Sequence, residues 1–499
     1  MPNPLHDALV APLAARAAPI LTDAAGNTVA GAALHSLALR QAGALADLGL
    51  KPGDRMAVQV EKTPEALALY LAALAAGIVF LPLNTAYTAD EVAYFVDDAG
   101  AALLVGDPRR ADALAPLVPR FATLDAAGGG SLTDKARAAG GGFSAVERRA
   151  DDLAAILYTS GTTGRSKGAM LSHDNLLSNA AVLVDAWRFT DADVLLHALP
   201  IFHTHGLFVA TNVVLLSGGA MIWLPGFKAD EVVAWLPKAT TMMGVPTFYT
   251  RLLDDPRFDR ALVAHMRLFT SGSAPLLAET HERFEARTGH RILERYGMTE
   301  TNMNTSNPYD GERRAGTVGL PLPGVELRIT DAGTGTSVPK GEPGMIEVRG
   351  RNVFKGYWQM PEKTREELRD DGFFITGDIG VEDEGGYVSI VGRAKDLIIT
   401  GGYNVYPKEI ELLLDDQPGV LESAVVGVPH PDFGEAVVGV LVAQPGAEVD
   451  LAALEAAMAR SLARFKQPKH LAVVAALPRN TMGKVQKNLL RKDFAGLFG

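Results

Sequence analysis

The sequence predicts an α/β fold: a large N-terminal domain of mostly parallel sheets covered by helices, a β-rich subdomain, and a small α+β C-terminal domain. The first observation behind this is the alternation of buried strands with Ala-rich helices, which is typical of crossover connections between parallel strands. The second is a change after about Gly311 to short strands with Gly/Pro turns, and the third is a further change after Gly392.

Short apolar runs in the N-terminal part have the length expected of buried strands. These runs alternate with helical patterns, and the strands are predicted at Met56–Val60, Ile78–Leu81, Ala102–Val105, Ala154–Tyr158, Val194–Ala198 and Ala220–Leu224, with helices at Ala32–Leu48 and His173–Trp187. The longest apolar stretch, Ala66–Leu83, is interrupted by glycine and proline. We therefore predict that it forms helix Pro64–Ala76 followed by a strand, not a membrane span.

The C-terminal part offers shorter elements. Short strands with Gly/Pro turns are predicted within Thr317–Thr330 and Met345–Tyr357. Further strands are predicted at Leu397–Thr400, Glu422–Val428, Ala436–Ala443 and Leu471–Val474, and helices at Pro407–Leu414, Leu451–Phe465 and Lys487–Phe494. The elements after Gly392 have a natural size for one small domain. We place the boundary so that residues 1–393 form the N-terminal domain and residues 394–499 the C-terminal domain.

Composition excludes several classes of protein. With 499 residues, 47% hydrophobic and 21% charged, the chain can bury a large core and is not disordered, collagen-like or a coiled coil. The net charge of −11 argues against a general nucleic-acid binder. There are no cysteines, which excludes disulfides, thiolate metal sites and cysteine nucleophiles and fits a reducing compartment. The first residues show no secretory pattern, so we expect a cytoplasmic protein with no membrane span.

The strongest local signal is the segment Tyr158–Gly168 (YTSGTTGRSKG), which lies between a predicted strand and a helix starting near His173. Glycines and small hydroxylated residues let backbone N–H groups and hydroxyls approach phosphate oxygens, and Lys167 adds a positive charge. It is not a Walker A loop, because Ser166 and Gly168 flank the lysine where that motif has Gly and then Ser/Thr. Taken alone, the segment is equally well interpreted as a surface turn.

Five further segments carry chemistry, and they are Tyr296–Glu300, Thr376–Asp378, Gly392–Asp396, Gly401–Tyr403 and Pro478–Lys484. Glu300 is a candidate Mg²⁺ ligand, because this ion takes one or two carboxylates together with nucleotide phosphates. Tyr296 offers a flat face for a base. Asp378 follows a predicted tight turn, where its carboxylate could accept hydrogen bonds from a ribose diol.

Taken together and in this order, over roughly residues 20–492, these segments resemble the adenylate-forming superfamily, which includes acyl-CoA synthetases, luciferases and peptide-synthetase adenylation domains. The resemblance implies a small mobile C-terminal domain with the active site between the domains. It implies two half-reactions that use ATP, Mg²⁺ and a thiol. A carboxylate attacks the α-phosphorus of ATP, which releases pyrophosphate, and the thiol then attacks the acyl carbon of the adenylate and releases AMP.

The resemblance also implies roles for individual nucleotide-binding residues. Those matched to the β- and γ-phosphates are Thr159, Ser160, Gly161, Thr162, Thr163, Gly164 and Lys167. Those matched to adenine are Ser273, Ala274, Pro275, Tyr296, Gly297 and Met298. Thr299 would contact the α-phosphate and Glu300 would bind Mg²⁺, while Asp378 and Arg393 would hold the ribose hydroxyls.

The same resemblance assigns the C-terminal residues. Lys484 would reach the charge that develops during adenylation, and a lysine delivered late stabilises the transition state more than the ground state. Lys395 occupies the hinge position, and Gly401 and Gly402 would line the thiol tunnel. Acetylation of Lys484 by a lysine acetyltransferase would remove its charge and switch adenylation off.

The acceptor thiol is expected to be free coenzyme A. The sequence ends fifteen residues after Lys484, with no carrier module in that segment. A stand-alone enzyme that loads a separate carrier protein remains an alternative.

Two arginines indicate the chemical class of the acid substrate. Arg251 and Arg295, the latter directly before Tyr296, are unusual near an acyl site, and burying two guanidiniums would be costly without an anion. They match an acid with a second carboxylate, which they could bind by charge-assisted hydrogen bonds. The alternative for Arg251 is an ordinary solvated or paired helix arginine.

The segments Phe202–Gly206, Ser271–Leu276 and Glu294–Ser306 resemble those of malonyl-CoA synthetases. By this resemblance, Arg251, Ser273 and Arg295 bind the distal carboxylate of malonate, and His203 and His205 lie at the mouth of the acyl pocket. Met303 would limit pocket size if it follows Glu300 by one helical turn. The rival interpretations are a ligase for methylmalonate, succinate or acetate, a metal site at His203 and His205, and a nucleotide sensor without catalysis.

Overall fold

The computed structural model describes residues 2–140, 142–159, 166–401, 403–479 and 484–498. Its Cα atoms group into two compact units. The larger unit comprises Met1–Leu327 and Val348–Phe374, and the smaller unit comprises Arg328–Glu347 and Ile375–Gly499. The predicted boundary between residues 393 and 394 concerns a mobile domain and stays a prediction.

The strands are short and mostly apolar. In chain order they are β1 (Pro19–Asp23), β2 (Thr28–Ala30), β3 (Arg55–Gln59), β4 (Val79–Pro82), β5 (Leu103–Gly106), β6 (Phe121–Thr123), β7 (Leu153–Thr159), β8 (Lys167–Ser172), β9 (Val194–His197), β10 (Ala220–Trp223), β11 (Thr241–Gly244), β12 (Leu268–Ser271), β13 (Leu293–Met298), β14 (Asn302–Ser306), β15 (Leu320–Pro321), β16 (Val325–Thr330), β17 (Gly344–Gly350), β18 (Phe374–Glu382), β19 (Val388–Arg393), β20 (Ile398–Thr400), β21 (Tyr403–Val405), β22 (Val420–His430), β23 (Gly434–Ala443) and β24 (His470–Val474).

The α-helices separate these strands, and they are α1 (Gly31–Asp47), α2 (Pro64–Ala76), α3 (Ala89–Ala99), α4 (Ala111–Leu114), α5 (Ser131–Ala139), α6 (His173–Ala186), α7 (Asn212–Ser217), α8 (Ala229–Trp235), α9 (Pro246–Leu253), α10 (Arg260–Val263), α11 (Ala278–Thr288), α12 (Pro361–Glu367), α13 (Pro407–Asp415), α14 (Leu451–Ser461) and α15 (Lys487–Asp493). π-Helical turns occupy His6–Val10 and His205–Thr211. Short 3₁₀ turns occupy Ala11–Ala15, Pro108–Arg110, Ala115–Leu117, Leu236–Lys238 and Ala394–Asp396.

Two sheets form the framework of the larger unit, and they confirm the predicted α/β class. The nine-stranded sheet has the order β15-β14-β13-β12-β11-β9-β10-β1-β2, and the six-stranded sheet has the order β6-β5-β3-β4-β7-β8. Their central strands are parallel, as in the pairs β11–β12 and β3–β5. Such strands are buried on both faces, and accordingly all four residues of β5 are buried.

The longest apolar stretch forms α2 and β4, which confirms the predicted helix and strand. Helix α2 begins at Pro64, where the Thr63 hydroxyl accepts a hydrogen bond from the backbone N–H of Ala66. It ends at Gly77, whose φ of +66° closes the helix. In the part of the chain that the structure describes, no helix is both long enough and apolar enough to cross a membrane.

The smaller unit contains a second core around its own sheet, in which β21, β20, β23 and β22 lie side by side and β24 pairs with β23. Helices α13 and α14 pack on one face through buried residues such as Ile410 and Leu454. Leu477 and Leu490 lie in a second apolar cluster with side chains from β22 and β23. The strands predicted after Gly311 fall largely in a four-stranded sheet of order β16-β17-β18-β19.

Some predicted details differ from the structure. The helix predicted over Leu451–Phe465 ends at Ser461, because Leu462 takes an extended backbone. Of the short strands predicted within Met345–Tyr357, the structure has β17, which ends at Gly350. Asp378 is not beside a tight turn between elements but lies within β18, since the positive φ of Gly377 is accommodated inside that strand.

Candidate active site

The predicted site residues of the larger unit collect at one edge of its sheets. Strands β9, β11, β12 and β13 are parallel, so their carboxyl ends lie on the same side. His203 and His205 follow β9, Ser273 follows β12, and Thr299 and Glu300 follow β13. This is the edge at which open α/β sheets bind ligands.

The glycine-rich segment connects two antiparallel strands. Thr159 is the last residue of β7 and pairs with Lys167, the first residue of β8. The helix predicted to begin near His173 is α6, which begins at that residue, but strand β8, which the sequence did not predict, lies between the segment and this helix. The residues predicted to cradle phosphates between these strands lie outside the described residues, and they are Ser160, Gly161, Thr162, Thr163 and Gly164.

Glu300 lies close to the two ends of this hairpin. Its side chain is buried, and Oε1 lies 3.4 Å from the Thr159 hydroxyl and 3.0 Å from the Tyr357 hydroxyl. The same Tyr357 hydroxyl lies 2.6 Å from Oε2 of Glu367. Since a tyrosine hydroxyl has a single hydrogen, it cannot satisfy two carboxylates at once. The two carboxylates are therefore crowded around one donor.

Lys167 completes this group. Its Nζ lies 3.1 and 3.2 Å from the two carboxylate oxygens of Glu367 and 4.1 Å from the centre of the Tyr357 ring. Burial alone would raise the pKa of Glu367, but hydrogen bonds from Tyr357 and Lys363 and the charge of Lys167 lower it below its ordinary value. Burial and the nearby Glu300 and Glu367 raise the pKa of Tyr357. We call Lys167, Glu300, Tyr357 and Glu367 the phosphate-side cluster.

The residues matched to adenine lie on two neighbouring strand ends. Ser273, Ala274 and Pro275 follow β12 and are half-buried to exposed, and Tyr296, Gly297 and Met298 form the end of β13 and are half-buried. Thr299, also half-buried, lines a small cavity with Tyr158 and His203. The structure thus brings the two adenine segments to adjacent strands, as a base-binding site requires.

Arg295 is the most unusual charge in the larger unit. It is 2% exposed, and its Nε and Nη2 atoms have no hydrogen-bond partner among the residues that the structure describes. Burial lowers its pKa to about 10, so the guanidinium is still charged at neutral pH. It lies directly against the backbone of Gly272, where a Cβ would come within 2.3 Å of Nη1. A side chain larger than glycine at this position would collide with the guanidinium.

Two predicted residues accompany this guanidinium. Ser273 has a φ of +71°, a left-handed conformation that non-glycine residues adopt at a cost of about 1–2 kcal/mol. Its hydroxyl lies 3.2 Å from Nδ1 of His205. Burial and the positive charge of Arg295 hold the pKa of His205 well below its ordinary value, so the ring is neutral. We call Arg295, Ser273 and His205 the acyl-side cluster.

The second predicted arginine is placed differently. Arg251 is exposed on α9, two residues after the fully buried Tyr249. Residues two apart on a helix project to nearly opposite sides, which explains why one is buried and the other is not. Of the two arginines expected near the acyl site, Arg295 is buried and Arg251 is exposed. A role for Arg251 in binding the acid stays a prediction.

Met303 follows Glu300 in a strand, so the condition that this stretch is helical is wrong. It is buried in β14, which pairs antiparallel with β13. Its Cε lies 2.6 Å from the position of a Cβ built on Gly297. The methionine therefore packs on the strand that carries Tyr296, and a limit on pocket size stays a prediction.

The smaller unit holds the remaining predicted residues. Asp378 and Arg393 lie opposite each other on β18 and β19, with 2.7 Å between Oδ1 and Nε. Lys395 is exposed in a single 3₁₀ turn, and Gly401 is exposed with a φ of +57°. Lys484 is exposed. Gly402 lies outside the described residues.

Sequence reasoning missed Tyr357 and Glu367, which complete the phosphate-side cluster. Their separations from Glu300 and Lys167 are 57 and 200 residues. The only local signal was an acidic residue at the end of a short helix, and such residues are usually solvated. Their importance depends on tertiary contacts that no spacing in the sequence reveals.

Comparison with protein families decides the classification. Residues 12–358 match the model of the AMP-binding enzymes, and residues 409–484 match the model of the AMP-binding enzyme C-terminal domain. The chain belongs to the AMP-binding enzyme family. This confirms the resemblance to the adenylate-forming superfamily that the motifs indicated.

Individual relatives narrow the range of activities. A malonate–CoA ligase of Arabidopsis thaliana is 35% identical over 489 residues, covering 89% of this chain and 79% of the relative. A feruloyl-CoA synthase of an Amycolatopsis species is also 35% identical, over 94% of both chains. The crystal structure of ATP-bound MatB from Rhodopseudomonas palustris is 57% identical, covers 100% of both chains and superposes with a TM-score of 0.98. Since the first two relatives name different acids, overall identity alone does not select the acid.

Proposed function

We propose that this AMP-binding enzyme is an AMP-forming malonate–CoA ligase, which converts malonate, ATP and coenzyme A into malonyl-CoA, AMP and pyrophosphate. The similarity to malonate–CoA ligases and to MatB supports the assignment to this class. The choice of malonate also has support from the acyl-side cluster, independent of those names.

The observation that carries the choice of acid is the buried guanidinium of Arg295. A charged group that is nearly fully buried with two unpartnered nitrogens is costly unless an anion arrives. The attacking carboxylate of the substrate must lie at the α-phosphorus, so it does not satisfy a second positive site. A second carboxylate, as in malonate, could accept hydrogen bonds from Arg295 and from the Ser273 hydroxyl.

Two observations support ATP binding by the larger unit. The similar protein MatB of Rhodopseudomonas palustris has ATP bound in its crystal structure, and the two segments of this chain matched to adenine lie at the ends of adjacent strands. We propose that Lys167 binds the β- and γ-phosphates with the glycine-rich segment. Tyr296 would contact the base, and Thr299 the α-phosphate. Glu367, which holds Lys167 in this structure, must release it for this to happen.

Oxygen atoms around Glu300 fit a magnesium ion. Hard oxygen donors are what Mg²⁺ prefers, and one carboxylate is sufficient when nucleotide phosphates supply other ligands. Among the described residues no group of three or more His, Asp or Glu side chains is arranged to hold a metal by itself, which agrees with a site completed by the nucleotide. Glu300 would hold the ion, with Thr159 beside it. When bound, Mg²⁺ would neutralise phosphate charge.

The smaller unit would supply the remaining groups. Asp378 and Arg393 are paired with each other, and we propose that they hold the ribose hydroxyls, with the carboxylate accepting hydrogen bonds from the diol. Lys484 would donate to the oxygens that gain charge as the malonate carboxylate attacks the α-phosphorus and the bond to pyrophosphate breaks. Coenzyme A would then attack the acyl carbon as its thiolate, losing its proton to solvent, and AMP would leave.

The direct test is ATP–pyrophosphate exchange with a panel of acids, namely malonate, methylmalonate, succinate, acetate, butyrate and ferulate. Malonate should give the highest specificity constant, and butyrate, which has no second carboxylate, should be the poorest of the aliphatic acids. Adding coenzyme A should convert malonate to malonyl-CoA with one AMP per product. A preference for ferulate or acetate would overturn the proposal for malonate but leave the ligase class intact.

A further inference from the structure

A buried lysine joins the two sheets of the larger unit. Lys62 lies just after β3 of the six-stranded sheet and before α2, and it is 8% exposed. Its Nζ lies 2.7 Å from the carbonyl oxygen of His197, at the end of β9 in the nine-stranded sheet, and 2.9 Å from that of Leu199. A third contact, of 2.8 Å, joins Nζ to Nδ1 of the His197 ring.

These contacts determine where the protons are. Carbonyl oxygens only accept hydrogen bonds, so two hydrogens of Lys62 point at the carbonyls of His197 and Leu199. Nε2 of His197 lies 2.9 Å from the carbonyl oxygen of Gly206, so it carries the hydrogen of the neutral ring and Nδ1 is an acceptor. Only a protonated ammonium has a third hydrogen to donate to Nδ1. The face of the Trp223 ring, 4.4 Å from Nζ, stabilises the same charge. Burial lowers the pKa of Lys62 well below its ordinary value, so these contacts oppose the cost of burying the charge.

The ring of His197 connects Lys62 to Gly206 and Thr211 by hydrogen bonds. If Nδ1 accepts a hydrogen bond, the neutral ring carries its hydrogen on Nε2. Nε2 lies 2.9 Å from the carbonyl oxygen of Gly206 and 3.2 Å from the hydroxyl of Thr211. The Thr211 hydroxyl itself donates to the same carbonyl at 2.8 Å. The carbonyl oxygen of Gly206 therefore accepts two hydrogen bonds, one from His197 and one from Thr211.

Gly206 is the residue at which the segment folds back. A Cβ on this glycine would lie 2.0 Å from the carbonyl oxygen of Pro200, so the chain passes too close to itself for any side chain. The adjacent residue, His205, contacts the Ser273 hydroxyl and lies in the field of Arg295. Residues 197–206 thus lead from the Lys62 ammonium to the acyl-side cluster within one short segment.

We propose that Lys62 is a positioning residue for the acid: its ammonium fixes the Nε2–H form of His197, which holds Gly206 and thereby sets His205 against Ser273 and Arg295. Lys62 itself touches neither acid nor nucleotide. The inference rests on the proposed function, since it takes the acyl-side cluster to be the place where the acid binds. It adds a residue that no motif identified and that acts through others.

The test compares Lys62→Met with Lys238→Met. Lys238 is the control, because its Nζ also lies over a tryptophan ring, 4.6 Å from the centre of that of Trp235, but the side chain is exposed. In Lys62→Met we expect the KM for malonate to rise tenfold or more while the KM for ATP changes less than twofold. Lys238→Met should change neither. An equal loss for malonate and ATP, or no loss, would overturn the positioning role.

A spectroscopic measurement tests the proton arrangement without relying on activity. In protein with ¹⁵N-labelled histidine, His197 is assigned by the signal that disappears in His197→Gln. The wild type should show the Nε2–H form at pH 7.5, and Lys62→Met should lose this preference. A wild-type Nδ1–H form would overturn the proposal even if every lysine variant failed to fold.

The two proposals fail in different ways. If the wild type lacks malonate-dependent exchange but shows the Nε2–H form, the choice of malonate is wrong and the acid found in the panel replaces it in the KM comparison. If malonate is the substrate and Lys62→Gln, which keeps a donor but no charge, matches the wild type in KM for malonate, the positioning role of the ammonium is wrong. Partial loss in Lys62→Gln, smaller than in Lys62→Met, supports it.

Discussion

The phosphate-side and acyl-side clusters of the larger unit handle buried charge in opposite ways. On the phosphate side, Lys167 is paired with Glu367, and Tyr357 joins that carboxylate to Glu300. On the acyl side, Arg295 is more deeply buried, and within the described part of the chain two of its nitrogens have no hydrogen-bond partner. One cluster supplies its own counter-ion, and the other does not.

The difference indicates how each ligand is recognised. A nucleotide brings several negative charges, so it can displace a carboxylate from Lys167 and still gain energy. A small dicarboxylic acid brings only one carboxylate that is not used in the reaction. A carboxylate side chain paired with Arg295 would carry the same charge and would compete with it. Leaving Arg295 unpaired costs stability but makes acid binding the step that satisfies it.

The largest effect is expected from Lys484→Ala. This variant tests whether adenylation needs a positive charge in addition to that of Lys167 in the phosphate-side cluster. Lys167 is the only lysine in the phosphate-side cluster as we define it, so we expect the charge of the adenylation transition state to be met by Lys484. Adenylation should fall by about 10²–10³, because one preorganised charge contact is lost. Thiolation of supplied malonyl-adenylate should be nearly unchanged. Equal loss in both half-reactions would contradict the role.

The next effect concerns the acyl side directly. Arg295→Met should lower kcat/KM for malonate about 30-fold or more, since breaking a buried charge contact costs about 2–5 kcal/mol. Butyrate should lose little, because it has no second carboxylate to bind. The measurement is pyrophosphate exchange with both acids at saturating ATP.

Arg251→Ala is the companion variant, because that arginine is exposed on α9. A loss confined to malonate would support a two-arginine clamp that forms only with acid bound. A variant indistinguishable from the wild type would leave Arg295 as the single guanidinium of the site. A similar loss for malonate and butyrate in Arg295→Met would mean that the residue is structural.

A smaller effect, of opposite sign, should follow from Glu367→Gln. The amide still accepts from Tyr357 but no longer competes for Lys167, so ATP should bind about fivefold more tightly, the equivalent of ~1 kcal/mol for a partly buried ion pair. The control is Glu366→Gln, one residue earlier, whose carboxylate pairs with Lys363. Weaker ATP binding in Glu367→Gln would show that Glu367 helps to bind the nucleotide instead of excluding it.

The sequence predicted the parts of the fold that depend on local pattern. Helix α2 was predicted with its observed ends, because Thr63, Pro64 and Gly77 mark them. Strands β3, β5 and β9 were predicted to within about one residue from their apolar runs. β8 was missed because its residues directly follow a glycine-rich segment and include Lys167 and Gly168, neither of which favours a strand.

The candidate site was predictable where it consists of motifs and unpredictable where it consists of contacts. Arg295 and Ser273 stood out in the sequence, and they lie in one cluster. Lys62 did not stand out, because nothing in its neighbours shows that it meets His197 across 135 residues. Arg251 was expected near the acyl site with Arg295, but it is exposed on α9, and the phase of an eight-residue helix is set by packing.

The smaller unit provides a half-buried charge of the opposite sign, to which no ligand role was assigned. Asp415 is the last residue of α13, where the helix dipole disfavours a carboxylate, and no described residue forms a hydrogen bond with its Oδ1. Burial raises the pKa of this carboxyl to about 6, although a hydrogen bond with Ser423 acts against the rise. In the proposed function, Arg295 gains a partner when the acid binds. Asp415 therefore allows the cost in stability of an incompletely partnered charge to be measured in a residue that is not expected to bind the acid.

Asp415→Asn should therefore stabilise the protein at pH 8 by on the order of 1–3 kcal/mol. The ordinary pKa of 3.8 applies to the unfolded chain, so between about pH 4 and pH 6 the folded state binds the extra proton. Stability of the wild type falls as pH rises through this window and stays low above it. The gain from Asp415→Asn should accordingly be full at pH 8 and vanish near pH 4. Urea unfolding at both values, with the exposed neighbour variant Asp416→Asn as control, measures this. A gain independent of pH would mean that the effect comes from the helix end and not from the buried charge.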